Sequence, residues 1–192
     1  MKKKRFYFID LENVGKSGLK GIENLTTRDT IVVFHNRLVY EEISPAILDM
    51  FKGCRATIRK LYIRNICKNA MDLELVLELG FLMAEYGAQA QYFVVSKDRG
   101  FDIVNDYIQN KGLYTVVRRI PSVDDSGEEE KRISEMEAQI RTLLPEYSSR
   151  IIQTVQFAID QTNSLDELHK FLQKHLKYNI NDIYPKIKQL AM

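Results

Sequence analysis

Five short apolar runs constrain what this 192-residue chain can fold into more than any other feature. They are Phe6–Ile9, Ile31–Phe34, Thr57–Ile63, Tyr92–Val95 and Tyr114–Val117, and the third alternates in part. A continuous run of aromatic and β-branched residues requires burial on both faces, as in a parallel sheet covered by helices. The segments between the runs have helical spacing: Val14 to about Asn24, Pro45–Phe51, Ala70–Tyr86 and Phe101–Asn110. Gly87 and Gly112 fall where helix ends favour a left-handed residue. The helix through Met71–Met83 is apolar on most of its circumference and is expected to be the most buried of the four. Strand and helix alternate throughout, which implies right-handed crossovers and an open sheet. The expected fold is α/β, a three-layer α/β/α sandwich around a central, mostly parallel five-stranded sheet, followed by a small all-α C-terminal region.

Pro121-Ser122-Val123-Asp124-Asp125-Ser126-Gly127-Glu128-Glu129-Glu130 is polar, acidic and turn-prone. It divides the chain into an α/β domain over residues 1–120, an acidic linker over 121–131 and a helical region over 132–192. In the last, Ile133, Met136, Ile140, Leu143 and Leu144 have helical spacing, and Ser164-Leu165-Asp166-Glu167 is a capping box ahead of Leu168, Phe171 and Leu172. These helices bring no obvious chemistry of their own and read as a docking, dimerisation or RNA-positioning module, the first two for another protein or a second copy.

Composition narrows the setting. A hydrophobic share of 45% and a charged share of 28% are those of a soluble globular chain. No run of 18 apolar residues exists to span a bilayer, and two cysteines make no disulfide framework. The basic start Met1–Arg5 resembles a signal peptide, but Asp10, Glu12 and Asn13 interrupt the apolar stretch beyond it. A reduced, cytoplasmic protein is expected. Residues 1–120 carry 19 Lys and Arg against 14 Asp and Glu, and the remainder 9 against 12, so the parts stand at +5 and −3. A basic first part suits a polyanionic partner, although an imbalance of this size also arises by chance.

The chemistry lies in acids at one edge of the expected sheet. Asp10 ends the first run, Asp98 comes just after the fourth, and Asp72 and Asp102 open helices. Sites in open parallel sheets form beyond the carboxyl ends of the strands, where strand order reverses. Each acid also has a structural reading: Asn69 and Asp72 as a capping box, and Asp98 as a helix cap with Asp102 in its first turn. Jointly, three or four carboxylates at close range are costly without a divalent cation, and hard oxygen donors suit Mg²⁺ or Mn²⁺. Such a cluster points to metal-activated water attacking a phosphodiester. Lys68, Lys97 and Arg99 flank these positions as phosphate contacts or as solvated surface charges. Asp10–Ser17 is also a phosphate-loop pattern with its first Gly replaced by Asp; a carboxylate there would face phosphates with like charge, which argues against a nucleotide loop.

Three segments in this order, Phe8-Ile9-Asp10-Leu11-Glu12-Asn13, Lys68-Asn69-Ala70-Met71-Asp72 and Val94-Val95-Ser96-Lys97-Asp98-Arg99-Gly100-Phe101-Asp102, with Lys111-Gly112 beyond, resemble the PIN-like nucleases, especially the NYN branch. The resemblance covers about residues 5 to 118. It implies an endoribonuclease dependent on Mg²⁺ or Mn²⁺, acting on RNA with DNA not excluded. Asp10, Asp72 and Asp98 would be metal ligands, with Glu12 supporting them, Asn13 holding the first loop and Ser96 the third. Gly100 departs from the pattern, because many relatives carry a further acid there; Asp102 would take that role. The competing class is a catalytically weak or inactive nucleic-acid-binding or scaffold protein on the same fold.

Overall fold

The computed structural model describes residues 3–35, 45–63, 67, 69–111, 115–176 and 179–191. Five strands, β1 (Lys4–Ile9), β2 (Asp29–His35), β3 (Thr57–Tyr62), β4 (Ala90–Val95) and β5 (Val117–Ile120), form one sheet in the order β3-β2-β1-β4-β5. Every pairing is parallel. The chain winds outward from β1 to β3 and then crosses to β4 on the other side, so strand order reverses between β1 and β4. Ile9 is in register with Val95 there. Asp10 and Ser96 therefore leave the sheet side by side.

Side chains of each strand alternate between two cores. Phe6 and Phe8 face α3 (Ala70–Tyr86) and α4 (Ile103–Asn110), packing with Leu75, Leu79, Val104 and Ile108. Tyr7 and Ile9 face α1 (Leu11–Gly18) and α2 (Pro45–Lys52), packing with Val14, Leu19, Ile47 and Phe51. Tyr7, Phe8, Ile9, Phe93, Val94 and Val95 are wholly buried, each contributing about 1.5–3 kcal/mol. The central strands thus anchor the edge from which the acids project.

Four details differ from the sequence expectations. The first helix spans Leu11–Gly18, earlier than Val14–Asn24, because Asp10 caps it; Gly15 at φ +51° kinks it, and a separate 3-10 turn holds Ile22–Asn24. The last strand is Val117–Ile120, and Tyr114 and Gly112 lie outside the described residues. Its start is fixed by Asn105, whose amide oxygen accepts from the Val117 N–H at 2.9 Å. Helix α3 has the expected bounds, yet Leu73, Val76, Leu77 and Phe81 are exposed, so it is not buried all round. Finally, α5 (Asp125–Leu143) begins inside the acidic stretch at 121–131. Asp125 accepts from the Ser122 N–H at 2.9 Å, half of a capping box, and acids suit a helix start.

The chain divides into two compact units, Met1–Gly127 and Glu128–Met192. In the second, α5 continues and leads to α6 (Ser149–Gln161), α7 (Leu165–Leu176) and α8 (Ile180–Ile187). They share a core of their own around Ile140, Leu144, Ile152, Val155, Leu168, Leu172 and Ile183. Glu167 accepts from the Asn163 N–H and donates its own N–H to Ser164 Oγ, closing the cap of α7. Among the described residues, no helix is long and apolar enough to cross a membrane.

Candidate metal centre

The site grows from the step out of β1. Asp10 is 3% exposed, and its backbone N–H donates to Val95 O at 3.2 Å, extending the β1–β4 pairing by one residue. One carboxylate oxygen caps α1 by accepting from the Asn13 N–H at 3.2 Å; the other accepts from Ser96 Oγ at 2.7 Å. Ser96 is wholly buried, and its hydroxyl oxygen also accepts from the Asp98 N–H at 3.0 Å. Asn13 closes the loop from the other side, its amide oxygen accepting from the Lys97 N–H at 3.1 Å. The turns after β1 and β4 are thereby bolted together, a preorganised edge built from two strands of the switch point.

Burial pushes the Asp10 carboxyl above its ordinary value. The Ser96 and Asn13 hydrogen bonds offset part of this, while the charges of Asp72 and Asp98 push further the same way. Asp72, in the first turn of α3, is also raised, by burial and then by Asp98. Of the four acids that the sequence singles out, Asp10, Asp72 and Asp98 thus lie within mutual electrostatic reach. Asn69, at φ +62°, makes no side-chain cap to this helix, so Asp72 is not part of a capping box. Asp98, by contrast, does cap: it accepts from the Gly100 N–H at 2.7 Å ahead of the 3-10 turn Arg99–Asp102. A Cβ on Gly100 would stand 3.1 Å from Asp98 Oδ1, so an acid there would press directly on Asp98.

The donor chemistry fits a hard divalent cation: a buried carboxylate with two like charges nearby, which a cation would relieve. The spacing is looser than the chemistry. Among the described residues, no three Asp, Glu, His or Cys side chains converge closely enough to hold an ion together. Asp102 is committed elsewhere, since Arg119 Nε and Nη2 donate to its two oxygens at 2.8 and 3.2 Å. Glu12 is exposed in the first turn of α1, and Lys97 and Arg99 are exposed on the turn after β4. Lys68 lies outside the described residues.

Arg119 lies beside the candidate site and is not singled out by the sequence pattern. It stands near the end of β5, on the same sheet edge as the acids, and Nη1 also donates to Ser96 O at 3.5 Å. An arginine closing a parallel strand beside an acidic edge is the available signal, masked because the apolar run Tyr114–Val117 stops short of it.

The PIN domain family model matches residues 4–119, an interval that contains both turns, the start of α3 and Arg119. No curated protein and no solved structure matches the chain.

Proposed function

Because the chain belongs to the PIN domain family, whose members are in general metal-dependent nucleases, we propose that it is a Mg²⁺- or Mn²⁺-dependent endoribonuclease of the NYN branch. Asp10, Asp72 and Asp98 are its ligand acids. The observation that carries the reading is the buried, doubly hydrogen-bonded Asp10 at the strand-order reversal, raised further by the charges of Asp72 and Asp98. A bound cation would supply an activated water and stabilise the leaving oxygen. The protein's own part is orientation. Ser96 holds Asp10 and the Asp98 backbone with one hydroxyl, and Asn13 keeps the two turns from parting. Asp72 and Asp98, both more exposed than Asp10, are the groups that would draw in around an ion. Lys97 and Arg99, on the rim, suit the phosphates of a single strand. The helical unit, with its own core, suits RNA positioning or docking to a protein or second copy.

A second reading rests on a specific observation: the acids do not converge, and the fourth is held by Arg119. A protein that binds RNA through this fold without cutting it would look the same. Incubating the full chain with a single-stranded RNA and Mn²⁺ separates the two. The nuclease reading predicts internal cleavage that a chelator abolishes; binding with no cleavage in Mn²⁺ or Mg²⁺ supports the second.

A further inference from the structure

The geometry points to Arg119 as the anchor for an RNA phosphate at the site, with Asp102 as the residue that aims it and not as a cation ligand; this rests on the nuclease reading above. A guanidinium has five N–H donors in a rigid fork. Three are used: Nε and Nη2 on the two oxygens of Asp102, and Nη1 on Ser96 O. One N–H on each terminal nitrogen is left unengaged by the described residues and is available to phosphate oxygens.

Placement gives that edge a target. Ser96, whose carbonyl Arg119 touches, is the residue whose hydroxyl holds Asp10 and the Asp98 N–H. The fork therefore stands one residue from the cation ligands proposed above. The Asp102 side chain is half exposed and that of Arg119 is 24% exposed, so substrate can reach the pair. The Asp102 hydrogen bond raises the hold of Arg119 on its proton, against desolvation, and the charges of Asp102 and Asp98 add to it. A phosphodiester drawn toward acids needs a fixed positive charge to offset them, and the bidentate hold of Asp102 sets that charge in one orientation. The same hold uses both Asp102 oxygens, which leaves the ion to the other three acids.

The test measures binding of a labelled single-stranded RNA to the full chain in Ca²⁺ across a salt series, Mn²⁺ affinity without RNA, and single-turnover cleavage in Mn²⁺. Arg119→Gln is expected to bind Mn²⁺ normally, to bind RNA about tenfold more weakly, and to show a salt slope shallower by about 0.7 for one lost contact. Arg119→Lys keeps the slope and loses affinity, which serves if the Gln variant does not fold. Asp102→Asn keeps Mn²⁺ affinity within about threefold and keeps the slope, while the single-turnover rate drops about tenfold because the fork is no longer aimed. RNA affinity unchanged in Arg119→Gln or Arg119→Lys overturns the anchor, and Mn²⁺ affinity lost tenfold or more in Asp102→Asn overturns its assigned role. Should the wild type cleave RNA while these outcomes fail, the anchor alone falls. A wild type that neither binds nor cleaves RNA brings down both.

Discussion

Asp29 shows how a single acid can be structural on the same sheet that carries the proposed ligand acids. Its side chain is 1% exposed and faces Arg5, its register partner across β1 and β2, with Nε and Nη2 at 2.6 and 2.8 Å from its two oxygens. Burial alone would raise its carboxyl; the Arg5 and Thr26 hydrogen bonds and the Arg5 charge outweigh it, and the carboxyl lies below its ordinary value of 3.8. A depressed carboxyl stabilises the fold above its unfolded value and ceases to do so as pH falls through the folded one. Asp29→Asn is therefore expected to cost about 2–3 kcal/mol at pH 7. In urea melts the gap from wild type should shrink as pH drops below about 4; a gap constant down to pH 3 would contradict the pairing. Asp10 has the opposite sign, raised and without a cationic partner among its hydrogen bonds. That contrast separates an acid satisfied by the protein from one that suits an ion.

Helix α3 makes the same division at the scale of an element. Leu75, Leu79 and Leu82 are buried against the sheet, while Leu73, Leu77 and Phe81 point outward. Leu79→Ala, at 1% exposure, should cost about 2–5 kcal/mol by transfer and cavity. Phe81→Ser, at 72%, should stay within about 0.5 kcal/mol. Paired thermal melts check both, and equal losses would show that the outer face is covered. Periodicity gave the bounds of this helix because Asn69 and Gly87 punctuate it, but it could not say which apolar residues would be left outside. The last strand was less legible still. Its Val-Arg-Arg-Ile pattern is apolar only at its ends, and arginine stems can lie on a sheet while their heads reach water. The Arg119–Asp102 pair links residues 17 apart, and no local signal carries such a contact. The helix starting at Asp125 is readable in the capping-box spacing of Ser122 and Asp125, a signal that the acidity of the stretch conceals.

In the whole molecule, the order β3-β2-β1-β4-β5 brings the turn after residue 9 against the turn after residue 95. Alternating strands and helices made that edge legible from the chain, as did the acids placed along it. How far the carboxylates stand from one another was not legible, because side-chain separation depends on Ser96, Asn13 and Arg119 jointly. The second unit has its own core, so Leu172→Ala should lower the stability of that unit by about 2–5 kcal/mol while RNA cleavage by the folded chain stays unchanged. A matching loss of cleavage below the melting range would tie the helices to the chemistry. The role of the acidic edge is decided by Mn²⁺-dependent cleavage of a labelled single-stranded RNA by wild type, Asp10→Asn and Asp98→Asn, each shown by circular dichroism to be folded. A cation held by these acids predicts a loss of at least ~100-fold in both variants. Cleavage at the wild-type rate in both would contradict it.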